Sequence, residues 1–252
     1  MESRYFGKKS FHYSTLSSSN AKAKELLHEA EIMEGTLIRT DEQVAGRGYA
    51  SNIWESQAHK NITASYILKP FFLSPDKQFW ITKVLSLGVK ETVSFFLPLT
   101  KKVTIKWPND IYVGEKKIAG ILVENSLLSN TITQSIAGIG LNVNQQQFFT
   151  KAPNPTSIKI ESNKEADIDY CFQILSFHLE KWYNLLKSES YEIIENEYLD
   201  NLFRYKMPAS FMVDKKKFEA TIVGIDPHGR LKLQLPHGAI SYYDFKEVRF
   251  IL

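Results

Sequence analysis

The chain has 252 residues, enough for one large domain or a medium one with a small appendage, so metal or disulfide staples are not needed to hold a core. Hydrophobic residues make up 43% and aromatic residues 13%, against 23% charged, which excludes a disordered chain. The net charge of +3, from 31 basic and 28 acidic side chains, is too weak and too dispersed for a dedicated duplex-DNA binder. A single cysteine, Cys171, excludes an intramolecular disulfide, and the six histidines are not spaced as zinc ligands, so a reducing compartment fits best. No apolar run reaches the roughly 20 residues that span a bilayer. The segment from Met1 to Ser10 carries Arg4, Lys8 and Lys9 with no apolar stretch behind them, so the expectation is a cytoplasmic protein without a membrane partner.

After this polar start, Ser17-Ser18-Ser19-Asn20 supplies cap residues before Ala23, Leu26, Leu27 and Ala30, spaced as an amphipathic helix that Gly35 would terminate. Thr36 to Thr40 reads as a strand feeding Gln43-Val44-Ala45-Gly46-Arg47-Gly48. Ile62, Ala64, Tyr66 and Leu68 alternate as a half-buried strand. Pro75-Asp76 opens a helix in which Trp80, Val84, Leu87 and Ile81, Leu85, Val89 form two adjacent apolar stripes, a width that implies burial beneath a sheet. From Val103 the period becomes two: Val103, Ile105 and Trp107 share one face, Thr104 and Lys106 the other, and Pro108 ends the strand. Ile111 to Val113 and Lys117 to Glu124 bracket a turn at Gly114-Glu115-Lys116, and Thr131 to Val143 forms another long strand. Ile168, Phe172, Leu175, Leu179 and Trp182 mark a helix, and Glu192 to Phe203 a second. Beyond Pro208, five short strands between turns at Asp214, Asp226-Pro227-His228-Gly229 and Pro236-His237-Gly238 suggest a small barrel.

Three segments carry chemistry. In Lys106-Trp107-Pro108-Asn109-Asp110 a strand delivers a lysine, and an amide and a carboxylate stand at its mouth, a set suited to phosphate and to Mg²⁺ held directly or through water; the alternative on spacing alone is a plain strand end. In Lys117-Ile118-Ala119-Gly120-Ile121-Leu122-Val123-Glu124, Gly120 removes a side chain where something approaches the backbone, unless the strand is simply bulged. Gly46-Arg47-Gly48 offers the close approach of an anion cradle, with Arg47 able to fork onto phosphate, but it lacks the remaining residues of a dinucleotide fingerprint or a P-loop. Cys171 reads as an inert thiol in a helix, and Lys215-Lys216-Lys217 as a solvated hairpin tip.

The ordered set of Ser18-Ser19-Asn20, Gln43-x-Ala45-Gly46-Arg47-Gly48, Lys106-Trp107-Pro108-Asn109-Asp110, Lys117-x-x-Gly120-Ile121-Leu122-x-Glu124 and Gly138-x-Gly140-x-Asn142 resembles the biotin protein ligases, from about Ser18 to Asn144. The resemblance implies an α+β fold: a mixed β-sheet flanked by helices, of the class II synthetase-like type (residues 1–205), followed by a small SH3-like β-barrel (residues 206–252). Because the motifs begin at Ser18, it implies a short form without an N-terminal DNA-binding domain. It implies an enzyme that activates biotin with ATP and Mg²⁺ to biotinyl-5′-AMP, then passes the biotinyl group to a lysine of a biotin carboxyl carrier protein. By the same likeness, Arg47, Lys106, Asp110 and Lys117 are catalytic, with Asp110 the candidate metal contact. Ser18, Ser19, Asn20, Gln43, Gly46, Arg47, Gly48, Trp54, Lys117, Gly120 and Ile121 would meet biotin; Arg47, Trp54, Lys106, Asn109, Lys117 and Asn142 would meet the nucleotide. No DNA partner is implied, and relatives can pair through a sheet edge as homodimers. One departure is that Tyr49-Ala50-Ser51-Asn52-Ile53 follows Gly48 where the family has a second basic residue and another glycine. The readings weighed against the ligase are a lipoate-type ligase of the same fold and a noncatalytic biotin- or adenylate-binding module.

Overall fold

The computed structural model describes residues 1–46, 48, 54–149 and 154–251. A seven-stranded mixed sheet forms from β1 (Ser10–Leu16), β2 (Leu37–Gln43), β3 (Ile62–Leu68), β4 (Val103–Lys106), β5 (Asp110–Val113), β6 (Lys116–Leu128) and β7 (Thr131–Leu141), in the order β1-β2-β3-β7-β6-β5-β4. Only the β1–β2 pair is parallel. This is the mixed sheet that the motifs implied.

The two faces of the sheet have different fates because their side chains alternate. Ile62, Ala64, Tyr66 and Leu68 of β3, with Ala137, Ile139 and Leu141 of β7, join the main core. There they meet α2 (Phe79–Phe96) and α4 (Ile168–Lys187), the wide-striped helix and the stepped helix of the sequence. On the other face, Ile38, Ile67 and Ile136 pack with Ala23 of α1 (Ser19–Glu29) in a smaller cluster. The short α3 (Ile158–Ser162) and α5 (Tyr191–Asp200) complete the helices.

Several expectations change. β1 overlaps the polar start only at Ser10 and otherwise fills residues 11–16, to which the sequence pattern assigns no element: its outward residues are polar, and only Phe11, Tyr13 and Leu16 pack inward, too weak a run to read as a strand. β3 is buried along its whole length, not half-buried, because α1 covers its second face. The first helix stops at Glu29, six residues before Gly35; the glycine, at φ +78°, makes the turn into β2, where a Cβ would stand 3.1 Å from the Phe6 backbone. Pro75-Asp76 begins a separate single turn, Pro75–Lys77, and α2 starts at Phe79.

The five C-terminal strands appear where the turn residues placed them: β8 (Pro208–Val213), β9 (Lys216–Ile225), β10 (Leu231–Gln234), β11 (Ile240–Tyr243) and β12 (Arg249–Phe250), ordered β11-β10-β9-β8-β12 in one antiparallel sheet. Trp107 joins this sheet to the large one: its Nε1 donates to Gly229 O at 2.9 Å and its ring lies 5.3 Å from that of Phe245. Gly229 must be glycine twice over, since its φ is +92° and a Cβ would stand 2.5 Å from the Phe79 ring. Among the described residues no helix is long and apolar enough to cross a membrane.

One brace matters for the cleft. Residues 154–156 hydrogen-bond both sides of Lys117, whose N–H donates to Asn154 O and whose carbonyl accepts from Thr156 N, each at 2.8 Å. Thr156 Oγ1 donates to Glu161 Oε1 at 2.7 Å, and Lys101 reaches the same carboxylate at 2.7 Å. The Glu161 side chain is 6% exposed. Burial alone would raise its pKa, but the Lys101 and Thr156 hydrogen bonds and the nearby Lys116 charge outweigh burial and lower it. A carboxylate depressed in the folded state adds stability above its unfolded pKa and loses it as pH falls through the folded value. Glu161→Gln is therefore expected to be destabilised by about 1–3 kcal/mol near pH 7. The gap from wild type should close as pH falls below the ordinary carboxylate range. Denaturant melts across pH check this, and a gap independent of pH would refute it.

Candidate active site

A cleft of about 560 Å³ opens on the α1 side of the sheet. Its floor is set by register. Asp110, Gly120, Gly140 and Thr63 are direct partners across β5, β6, β7 and β3, and Leu122, Gly138 and Ser65 form the adjacent row. The glycines leave room for side chains from elsewhere. A Cβ at Gly140 would stand 2.3 Å from the Trp54 ring, and one at Gly138 would stand 2.4 Å from Asn20 Oδ1.

Lys117 reaches this floor through a bulge. Three residues from Gly120, it would point to the opposite face in a regular strand. The β5–β6 register shifts between Ile111 and Tyr112, so Lys117 pairs with Tyr112 and turns to the face of Asp110 and Gly120, while Ile118 is buried in the core. Lys117 Nζ then lies 2.6 Å from Asp110 Oδ1 and 5.7 Å from the Trp54 ring centroid. Both readings of this strand hold together: the bulge is what makes the approach at Gly120.

Lys106 pairs in register with Asp110 and so shares that face. Its Nζ donates to Tyr112 Oη at 3.1 Å. Burial lowers its pKa; Asp110 opposes this, and the Lys117 and Arg204 charges add to it. Asn109 donates from Nδ2 to Ile121 O at 2.6 Å and accepts from Ile121 N at 3.2 Å, fixing the loop against β6. Tyr198 Oη holds the Pro108 carbonyl at 2.8 Å from behind.

At the other end, Ser18 caps α1 and Gln43 Oε1 accepts from Ser19 N at 2.9 Å. The Asn20 amide is committed: Oδ1 lies 2.6 Å from Ser65 Oγ, and Nδ2 donates to Glu124 at 2.7 Å. The Ser19 hydroxyl also meets Ser65 Oγ, at 2.8 Å, and Asn20 lines the cleft with Ser18, Ser19 and Gln43. The indole Nε1 of Trp54 is buried there with no partner among the described residues.

Of the residues singled out from the sequence, Ser18, Ser19, Asn20, Gln43, Gly48, Trp54, Lys106, Asn109, Asp110, Lys117, Gly120 and Ile121 all line this one cleft. Gly46 does not line it; its missing side chain admits the Trp54 backbone, whose N–H donates to Gly46 O at 3.0 Å. Asn142 also lies off the lining: its Nδ2 donates to Thr156 O, and its Oδ1 is buried without a partner among the described residues. Arg47 and the Tyr49 to Ile53 departure lie outside the described residues. Sequence reasoning missed the contribution of the small sheet, including Phe245, Arg249 and Phe250, because nothing local in that segment signals which surface it meets.

The described residues hold no group of three or more acidic, histidine or cysteine side chains placed to hold a metal ion. Asp110 offers one carboxylate, already paired with Lys117. This donor set does not fit a resident Mg²⁺ centre.

The site is therefore a glycine-floored cleft on a mixed sheet of an α+β protein, ending in two lysines and a carboxylate. The model of the biotin/lipoate A/B protein ligase family matches residues 12–142, more than half of the chain, and the chain belongs to that family. A bifunctional ligase/repressor of Bacillus subtilis is 34% identical over 149 residues, covering 58% of this chain. This chain spans 44% of the length of that relative. A biotin--[acetyl-CoA-carboxylase] ligase of Paracoccus denitrificans is 26% identical over 228 residues, 88% of this chain and 92% of that protein. The structure of the biotin protein ligase of Aquifex aeolicus in complex with biotin and ATP superposes with a TM-score of 0.80 at 23% identity, covering 97% of this chain and 100% of that one, which establishes the shared fold.

The packing is testable. Gly140→Ala should displace the Trp54 indole, moving one of the four tryptophan indole N–H resonances and leaving those of Trp80, Trp107 and Trp182 in place. A stationary Trp54 signal would contradict the geometry.

Proposed function

We propose that this chain is an ATP-dependent biotin protein ligase. The observation that carries the reading is the placement of Lys106, Lys117 and Asp110 on one sheet face, at the end of a trough floored by Gly120 and Gly140. A small apolar bicycle with a polar ureido end suits such a trough, with the Ser18 and Ser19 hydroxyls and Gln43 at one end and cations at the other. The relatives named as biotin ligases, and the fold shared with an enzyme crystallised with biotin and ATP, support the choice of substrates.

In the first step a carboxylate oxygen of biotin attacks the α-phosphorus of ATP. The bond to the β-phosphate bridging oxygen breaks, and pyrophosphate leaves with that electron pair. Two anions must meet, so the ammonium groups of Lys117 and Lys106 have their largest effect where charge grows on the phosphorus oxygens. Lys117 exchanges its Asp110 partner for the reacting carboxylate and phosphate, while Lys106 and Asn109 attend the distal phosphates. Mg²⁺ belongs with the triphosphate, not to a protein centre. In the second step the amine of a carrier-protein lysine attacks the acyl carbon, AMP departs, and the amine gives up a proton. Asp110, freed from Lys117, orients that amine. The acceptor is a carrier domain of a biotin-dependent carboxylase.

Pyrophosphate release with Mg²⁺-ATP should depend on biotin and not on lipoate, and should be followed by transfer to an apo carrier domain. Lys117→Ala is expected to lower release by about 100-fold or more with the fold retained. Gly120→Leu should instead weaken biotin binding, because its side chain would fill the floor between Asp110 and Lys117. Release that is equal with lipoate, or wild-type release by Lys117→Ala, would overturn the assignment. Biotin binding without release would leave a noncatalytic binding module.

A further inference from the structure

The two lysines of the cleft are held in different ways. Lys117 is paired with a carboxylate, Asp110, at 2.6 Å. Lys106 has no carboxylate within 4 Å among the described residues, and only one of its three N–H donors is taken up, by Tyr112 Oη. What surrounds it is aromatic: its Nζ lies 4.7 Å from the Tyr112 ring centroid and 5.3 Å from that of Phe250. Phe203 closes the set, 5.8 Å from the Tyr112 ring and 6.3 Å from the Phe250 ring.

We propose that Phe250 is a positioning residue for Lys106: its ring and that of Tyr112 flank the ammonium and hold it at the triphosphate end of the cleft. This rests on the ligase reading. A long lysine loses much rotamer freedom on binding an anion, and that cost falls if the stem is already held. An ion pair would hold it too, but that bond would have to break before the charge could serve the substrate. A π face attracts the cation and leaves its charge available.

Phe250 reaches this place only through the tertiary fold. It ends β12, where it pairs with Phe211 of β8 and contacts that ring at 5.1 Å. The next residue is fixed on two sides: Ile251 N donates to Ser210 O at 3.0 Å, and Arg204 Nη1 donates to Ile251 O at 2.8 Å. The other Arg204 nitrogen, Nη2, pairs with Glu115 in the β5–β6 turn at 2.8 Å. One arginine thus ties the C-terminal strand to the hairpin that carries Asp110, Tyr112 and Lys117, and the C-terminal sheet becomes part of the cleft.

The test uses Phe250→Leu, which keeps apolar bulk and strand pairing but removes the ring face, with Phe250→Tyr as the conservative variant. Side-chain order at Lys106 is read in the free protein from ¹³Cε relaxation, assigned with Lys106→Arg. It should fall in Phe250→Leu and return in Phe250→Tyr. In turnover, kcat/KM for ATP should fall about five-fold in Phe250→Leu, with KM for biotin within about two-fold of wild type, and recover in Phe250→Tyr. Thermal midpoints confirm that both variants are folded. Unchanged Lys106 order in folded Phe250→Leu, an ATP parameter that does not move, or equal loss for ATP and biotin would overturn the proposal. If the wild-type protein makes no biotinyl-adenylate, the ligase reading falls, and the relaxation measurement alone decides whether Phe250 holds the lysine.

Discussion

The cleft depends on the pairing register of β6 with β7. Gly120 faces Gly140 and Leu122 faces Gly138, which puts three glycines on one face of two adjacent strands, beside Leu122. The interleaved Ile121, Ala137 and Ile139 enter the core on the other face. A slip of one residue would exchange those faces, burying the trough and exposing the core residues, so the same hydrophobic contacts that stabilise the sheet also hold the site in place. Trp54 and Asn20 then occupy space that any side chain at Gly140 and Gly138 would deny them, and Lys117 lies against Gly120.

Among the described residues, charge is arranged on this floor without a metal-binding cluster. The β-bulge beside Ile118 turns Lys117 into the cleft, where Asp110 balances it, and the segment around Thr156 fixes its backbone from both sides. The arrangement is economical, since one shifted register supplies a cation, its counter-ion and an open floor within a few ångströms. The second cation, Lys106, comes from the neighbouring hairpin strand and lies among aromatic rings, with no carboxylate of the described residues within ion-pair distance.

Trp107 shows how the fold and the site share residues. It sits in the motif most suggestive of ligand contact, yet its indole donates to a turn of the small sheet, and it packs on Phe245. Its neighbours Lys106 and Asp110 face the cleft because Trp107 faces the core and the small sheet. The motif reads as one chemical signature but divides its residues between lining the cleft and docking the small sheet.

The sequence by itself determined the strands and helices with strong periodicity and the five short C-terminal strands, because strand period and turn residues are local properties of the chain, whereas most of the cleft lining is named through the family resemblance. It also carried Lys106, Asp110, Lys117 and Gly120 as candidates, since charged and glycine residues within apolar strands stand out. β1 stayed hidden because its inward side chains are few, and the full burial of β3 because the helix covering it comes from elsewhere in the chain. Asn20 and Asn142 read as ligand contacts from the resemblance, and only the fold shows that Asn20 also bonds Ser65 and Glu124 and that Asn142 Nδ2 donates to Thr156 O. Only the tertiary structure decided that Lys117 turns to the face of Gly120, and that Phe250, some 140 residues beyond Lys106, comes to lie beside it. Bulges and sheet docking are fixed by partners distant in sequence, and no periodicity within one segment encodes them.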